Sequence, residues 1–274
     1  MNKVTVKKNT AVSTDVVDFS AMSGSGFENV TSSEVAIPFL KIASSQSPEM
    51  KKANSKFVDG LEEGFIFNSV TREFWENIKV VPCFFRVRGV EWEPLGTGTG
   101  APINIYKPEN IPTLHRGTDG EDHYMVNGQP SQTYIVRTAE YFVLRLNADG
   151  SFEPAQIIMQ KTQYKKSKYW NTTMLSQKLK SPDGQYKDLP MFANTYTMSA
   201  VHESNSKNDW WGWKIDLDKS VNDLSNPAYI VREAQNFKEL VKAGDIDPAP
   251  EQTTTNTEET IVTHKDDVTF GASQ

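Results

Sequence analysis

The chain has 274 residues, a single cysteine, Cys83, and a formal net charge of −6. A disulfide within the chain and a zinc site built on cysteines both need at least two thiols, so the composition excludes them. No apolar stretch approaches the roughly 20 residues that a membrane-spanning helix requires, and we expect no membrane association.

The charge is distributed unevenly along the chain. Residues 244–274 carry seven acidic residues and one lysine, a net charge of −6, so that residues 1–243 are neutral as a whole. Within that neutral part, residues 161–188 contain seven lysines and two aspartates. A basic segment combined with an acidic tail is typical of a protein that binds a polyanion and carries its own competitor. A solvated helix face and a solubilising tail would produce the same pattern.

Composition also predicts the domain organisation. Residues 1–34 are rich in Ser, Thr, Val, Asn and Gly, and we expect a disordered N-terminal arm there. Residues 244–274 are expected to form a disordered acidic C-terminal tail. A folded body remains between them, at residues 35–243.

Three strands are predicted in the first half of this body, where β-branched and aromatic residues are dense. Pro82 lies within the first of them and indicates a bulge or an edge position. A long insertion rich in Gly, Pro and Asn, at residues 93–131, precedes the second strand, and a turn at 147–150 precedes the third. The predicted strands are Asn77–Trp92, Gln132–Asn147 and Phe152–Met159.

The second half of the body begins with a helical pattern. A stretch without Gly or Pro spaces its apolar residues as one helix would. Two strands follow, joined by the polar loop 202–209, and Pro227 then opens a last helix that Gly244 stops. The predicted elements are the helix Thr162–Lys180, the strands Phe192–Val201 and Trp210–Leu217, and the helix from Asn226 to Val241.

This order predicts a mainly β fold of the α+β class. The closest architecture is a five-stranded OB-fold-like barrel with a helix between the third and fourth strands, here followed by a C-terminal helix. Such barrels bind oligonucleotides through strands two and three and through the loops that join strands one to two and four to five. Those loops would be residues 93–131 and 202–209. Another β-rich α+β domain is the alternative.

The sequence contains no strong catalytic motif. Gly96–Gly100 resembles a phosphate-binding loop but lacks the Gly-Lys-Ser/Thr that defines one, and Gly-x-Ser-x-Gly does not occur. The acidic pairs Glu62/Glu63 and Glu91/Glu93 are typical of solvated surfaces. We therefore predict a protein that is not an enzyme, with no catalytic residue, no metal site and no cofactor.

Residues suited to single-stranded nucleic acid are better represented. In the first strand, alternation puts Phe84, Arg86 and Arg88 on one face. If the other face enters the core, the outer face combines a ring for base stacking with two cations for phosphates. The alternative is that Phe84 packs under the insertion and both arginines pair with acids.

Two later segments add cations and rings. Lysines lie near one face of the predicted helix, where they would contact phosphates, while Trp170 would anchor the helix to the barrel. Three tryptophans open the last strand, with Trp211 and Trp213 on one face and Trp210 on the other, so at least one should be accessible. The predicted nucleic-acid contacts are Phe84, Arg86, Arg88, Tyr141, Lys161, Lys165, Lys166, Lys168, Tyr169, Lys207, Trp210, Trp211 and Lys214.

Several segments resemble a family of tailed-phage single-stranded-DNA-binding proteins, from about residue 37 to residue 217. The resemblance implies an OB-fold, binding of single-stranded DNA regardless of its sequence, and a role in phage DNA replication and recombination. It also implies a location in the cytoplasm of the infected bacterial host. The similar segments are Ile37–Ile42, Ser47–Pro48, Gly64–Asn68, Ile78–Cys83 and Gln163–Leu175, the last with Lys165–Asn171 at its centre.

The same resemblance implies an acidic tail with an aromatic tip that docks replication proteins. Asp266, Asp267 and Phe270 would form that tip, although four more residues follow Phe270 in this chain. The expected partners are therefore single-stranded DNA and phage replication proteins, and the sequence leaves open whether the protein is a homo-oligomer. The rival functions are a β-rich phage structural protein and a metal-dependent nuclease.

Overall fold

The computed structural model describes residues 19, 22–31, 34–94, 96–97, 101–206 and 208–246. The chain divides into two compact units, Met1–Val35 and Ala36–Gln274. In the first unit, the described residues form successive turns closed by backbone hydrogen bonds, such as that from Met22 N to Phe19 O at 3.0 Å. Most of the predicted arm and residues 247–274 of the predicted tail lie outside the described residues, so their disorder stays a prediction.

Antiparallel strands and two α-helices make up most of the described part of the second unit. Single turns of 3₁₀ helix connect some of them, at Pro48–Met50, Pro108–Asn110, Lys161–Gln163, Met191–Ala193 and Val221–Asp223. The strands and α-helices are β1 (Leu40–Ile42), β2 (Ile66–Asn68), β3 (Phe74–Trp75), β4 (Asn77–Trp92), β5 (Asn104–Tyr106), β6 (His115–Arg116), β7 (Asp122–His123), β8 (Met125–Val126), β9 (Gln129–Pro130), β10 (Tyr134–Leu146), β11 (Phe152–Met159), α1 (Tyr164–Ser176), β12 (Lys178–Lys180), β13 (Tyr186–Asp188), β14 (Asn194–Ser204), β15 (Asp209–Ser220) and α2 (Pro227–Ala243).

The long strands form the frame of this unit. They pair antiparallel in the order β11-β10-β4-β14-β15, and the short β5 is added beside β4. Their bounds confirm the predicted strands to within a few residues, and α1 lies between the third and fourth of them in the chain, as predicted. The mainly β, α+β class is thereby confirmed.

The long strands do not close into a barrel, so the predicted OB-fold-like barrel is not confirmed. Among the described residues, the outer strands β11 and β15 of this sheet do not pair with each other. Instead β1, which belongs to a separate sheet with β2 and β3, is in contact with both outer strands. Phe39 forms a parallel bridge with Gln156 of β11, and Gln156 N donates a hydrogen bond to Pro38 O at 2.9 Å.

The irregularity predicted at Pro82 is a bulge. β4 and β10 pair Phe84 with Phe142 but Pro82 with Val143, so that Cys83 is an extra residue in β4. Beyond the bulge, neighbouring residues point to opposite faces of the sheet. Phe85 packs against Tyr141 on one face, whereas Phe84 packs against Phe142 on the other.

Each face of the sheet is covered by one helix. On the first face, the Trp170 ring of α1 lies 4.2 Å from the Tyr141 ring. On the second, Phe237 of α2 lies 6.0 Å from Phe142. α2 begins at Pro227 and is followed by Gly244, whose φ of 83° is left-handed, so the predicted stop is confirmed. No helix in the described ranges is long and apolar enough to cross a membrane.

The predicted helix Thr162–Lys180 is too long. α1 ends at Ser176, and the residues after it form a hairpin of β12 and β13 closed by the turn Ser181–Gly184. The reason is visible in burial: Trp170 enters the core as predicted, together with Met174, but Leu175 and Leu179 are 63% and 56% exposed. The spacing of the apolar residues therefore predicted too long a helix, because the last of them, Leu175 and Leu179, have no core to pack against.

Candidate nucleic-acid interface

The outer face of α1 carries unpaired cations beside an exposed ring. Ser167, Trp170 and Met174 occupy the buried side of the helix, which leaves Lys165, Lys168 and Tyr169 in solvent. The Lys165 ammonium lies 5.7 Å from the centre of the Tyr169 ring, and Lys168 lies 5.3 Å from that of Tyr164. Neither lysine forms an ion pair with a residue in the described part of the chain. We call Lys165, Lys168 and Tyr169 the α1 surface.

A hairpin with two half-buried tryptophans lies beside α1. Only Tyr196–Ser199 of β14 pair with β4, so the ends of β14 and β15 extend past β4 as a two-stranded hairpin. Trp210 and Trp211 lie there, whereas Trp213 is buried in the core. The prediction that at least one tryptophan of this run is accessible therefore holds for the first two. We call residues 200–206 and 208–213 the tryptophan hairpin.

One face of the Trp211 ring packs against Gly64. A β-carbon at Gly64 would stand 2.9 Å from the indole carbon Cε3, so the ring lies directly on a residue that has no side chain. The indole nitrogen is 3.4 Å from Glu63 Oε2, and His202 meets the ring edge to face at 5.2 Å. Gly64 also has a φ of 85°, a conformation that other residues rarely adopt.

Lys166 ties α1 to the tryptophan hairpin. Its ammonium lies 2.8 Å from Glu203 Oε2, and the same oxygen accepts a hydrogen bond from Trp210 Nε1 at 3.0 Å. Gln163 Oε1 accepts a second link, from the backbone N–H of Trp213 at 3.0 Å. The α1 surface and the tryptophan hairpin are therefore adjacent and fixed to each other, and Lys166 serves this link.

The insertion reaches the beginning of α1. Lys161 Nζ lies 2.6 Å from Glu121 Oε1 of the insertion, so this predicted phosphate contact is already paired. The insertion is anchored in turn by the buried carboxylate of Glu91. That carboxylate accepts hydrogen bonds from Tyr106, Tyr124 and Thr133 at 2.7, 3.0 and 2.6 Å. Burial, with help from Glu91, raises the pKa of Tyr106 and keeps it a donor.

The residues predicted on β4 lie elsewhere, on the face that α2 covers. Phe84 packs 6.2 Å from Phe142 in the cluster beneath α2, so its predicted role in base stacking is corrected. Arg86 Nε and Arg88 Nη2 lie 2.5 and 2.6 Å from the two carboxylate oxygens of Glu140, which is fully buried. The alternative in which both arginines pair with an acid is therefore the one observed.

Tyr141 is also a core residue rather than a surface one. It is fully buried against Trp170, and its hydroxyl donates to Ser167 O and Asn171 Oδ1, both at 2.9 Å. Burial raises the pKa of this hydroxyl above its usual range. Because α1 covers it completely, its predicted contact with nucleic acid is corrected.

The remaining predicted contacts are only partly described. Lys214 is exposed and lies 3.2 Å from Asp216. Lys207 and the tail residues Asp266, Asp267 and Phe270 lie outside the described residues, so their roles stay predictions.

Comparison with known proteins bears on the family. A family model described as Pam3 phage gp34-like protein matches residues 7–247. The chain belongs to this family. No curated protein and no solved structure gives a significant match. Membership in the gp34-like family confirms the phage part of the resemblance, while DNA binding and the OB-fold remain predictions.

Sequence reasoning missed the residues that position the α1 surface against the tryptophan hairpin in this gp34-like protein. Gln163 contacts Trp213 and Glu203 contacts Lys166 across separations of 50 and 37 residues, and no periodic pattern signals such contacts. Gly212, between Trp211 and Trp213, hints at these contacts by its residue type, because a side chain there would collide with them. A β-carbon there would stand 2.7 Å from Lys166 Nζ. Among the residues with described side chains, no three His, Cys, Asp or Glu groups lie close enough to hold a metal ion.

Both ring nitrogens of His123 have hydrogen-bond partners. Its Nδ1 lies 2.9 Å from the carbonyl oxygens of both Ser131 and Thr133, and its Nε2 lies 2.9 Å from Asp119 Oδ2. Burial lowers the pKa of His123, but Asp119 and the two carbonyls outweigh it, so that the pKa is raised. Only the protonated ring can donate from both nitrogens.

We expect the protein to unfold at lower urea concentration as the pH rises through the raised pKa of His123. A raised pKa in the folded state means that the stabilisation is complete below the usual pKa of histidine and is lost above the folded value. The measurement is urea unfolding between about pH 5.5 and about pH 8.5. His123→Gln should flatten that part of the profile, and an unchanged profile would contradict the assignment.

Proposed function

We propose that this phage protein binds single-stranded DNA without sequence preference, in DNA replication or recombination in the cytoplasm of the infected bacterial host. The observation that carries the proposal is the adjacency of the α1 surface and the tryptophan hairpin. Unpaired lysines and an exposed tyrosine lie beside two half-buried tryptophans, joined through Lys166 and Glu203. Binding of single strands without sequence readout needs this combination of cations and accessible rings.

The strand order supports an OB-like fold as the finer assignment. In an OB-fold the first strand pairs with the second and the fourth, and a helix follows the third. Here β4 pairs with β10 and β14, and α1 follows β11. β1 occupies the place where the third and fifth strands of a closed barrel would meet.

Two contributions to affinity follow from the geometry. Each lysine that neutralises a phosphate releases counterions, which makes log K fall with log salt at a slope of about −0.7 per contact. Each base that stacks on an accessible ring contributes about 1–3 kcal/mol. Tyr169, Trp210 and Trp211 are the rings placed to receive bases.

The test is a tryptophan fluorescence titration with poly-dT at two salt concentrations. Trp92, Trp170 and Trp213 are buried, and the Trp75 ring has the Arg145 guanidinium over it at 4.0 Å. We therefore expect partial quenching, from Trp210 and Trp211, with an affinity that weakens as salt is added. Trp210→Phe and Trp211→Phe should each remove part of the signal. Absence of quenching and of binding at low salt would overturn the proposal and favour a phage structural protein.

A further inference from the structure

The hairpin that follows α1 has no covered face. We call residues 178–188 the basic arm. Cross-strand partners in an antiparallel pair lie on the same face. Lys180 therefore shares a face with Tyr186, and Leu179 shares the other with Lys187. Every paired residue of the arm is exposed: Lys178, Leu179, Lys180, Tyr186, Lys187 and Asp188.

The conformation of the arm is nevertheless well specified. Gly184 N donates to Ser181 O at 2.9 Å, and Ser181 N donates to Gln185 O at 2.8 Å, which closes the turn. Gly184 has the left-handed φ of 81° that such a turn requires. The chain thus builds a defined two-stranded element, although two strands without a packed face are only marginally stable in water.

The arm exposes apolar area that the core does not use. Tyr186 is 71% exposed, more than Tyr169 on α1 or Tyr229 on α2. Leu179 is also mostly exposed. The strand from Lys178 to the turn is about 10 Å long, at about 3.3 Å per residue. The arm directly follows in the chain the helix that carries the α1 surface.

The charge of the arm is positive. Lys178 pairs with Asp188, and Lys187 lies 3.9 Å from Asp183. Lys180 has no ion pair with any residue that the structure describes. An unpaired cation and an exposed ring thus share one face of the arm, which is the combination already present on α1 as Lys165 and Tyr169.

We infer that the basic arm is a second contact for single-stranded DNA, in which Tyr186 stacks on a base and Lys180 neutralises a phosphate. This inference rests on the proposed function and lengthens its binding surface. Charge complementarity selects the occupant: a polyanion matches the arm. A second copy of the arm paired edge to edge would bring lysines against lysines, which is unfavourable.

The experiment compares arm variants with matched surface controls in the poly-dT titration. Tyr186→Ala should weaken binding by about tenfold, because one stacked base is lost, whereas Tyr186→Phe should bind like the wild type. Lys180→Gln should reduce the magnitude of the salt slope by about 0.7. The controls are Tyr229→Ala on α2 and Lys52→Gln, an exposed lysine on another loop.

The outcomes separate the arm from the proposed function. The arm contains no tryptophan, so the amplitude of quenching at saturation should stay unchanged in its variants while the midpoint shifts. Salt-dependent binding of the wild type, with unchanged binding of the arm variants, would overturn the inference about the arm. The proposed function would remain. No binding by the wild type would overturn both. A change of mass in light scattering at unchanged affinity would assign the arm to self-association and overturn the inference.

Discussion

Glu140→Ala is expected to destabilise the protein by about 3–5 kcal/mol. Glu140 is fully buried and neutralises two arginines, Arg86 and Arg88, whose side chains are 20% and 8% exposed. Removing the carboxylate would take a charged partner away from both guanidinium groups in a largely buried place. Loss of one partner from a buried ion pair is costly for that reason, even where the pair itself adds little.

Urea unfolding measures the effect, with the slope m checked for constancy. Glu239→Ala is the matched control, because Glu239 pairs with Lys238 and Lys242 on the exposed side of α2. An exposed pair of this kind contributes within about 1 kcal/mol. A loss in Glu140→Ala no larger than that of the control would show that the arginines are solvated in solution.

The double variant Lys165→Gln/Lys168→Gln is expected to bind poly-dT about 25-fold more weakly at about 0.1 M salt. At that concentration each phosphate contact contributes about 0.7 logarithmic units through counterion release, and two contacts are removed. The magnitude of the salt slope should fall by about 1.4. Both side chains are exposed, so the urea midpoint should remain that of the wild type.

Lys52→Gln/Lys56→Gln removes the same charge from an exposed loop and serves as the control. A general effect of net charge would weaken both double variants equally. Equal affinities of the control and the α1 variant would therefore contradict the placement of DNA on the α1 surface.

Most of the fold could be predicted from the sequence because its signals are local. The strand Asn77–Trp92 was predicted with its exact bounds, since β-branched and aromatic residues fill it. Pro82 marked the bulge, and Pro227 with Gly244 marked the ends of the last helix. Each of these features depends on residues within one turn or one strand.

The site was harder to predict because alternation separates two faces without saying what covers them. Alternation correctly put Phe84, Arg86 and Arg88 on one face of their strand, yet both faces of the sheet are covered, one by α2 and one by α1. Tyr141 looked like a ring on a strand and lies beneath Trp170. The arginine partner Glu140 is more than 50 residues away in the chain, so nothing local indicated it.

The position of β1 affects the tendency of this protein to aggregate. β11 and β15 end the main sheet, and the outermost strand of a sheet offers unpaired backbone groups that recruit strands from other molecules. β1 is in contact with both of these strands, and its neighbours Pro38 and Phe39 pair with Gln156. We therefore expect a chain that begins after Ile42 to elute as aggregates in size-exclusion chromatography, whereas one that begins at Val35 would keep the contacts of β1 with both outer strands.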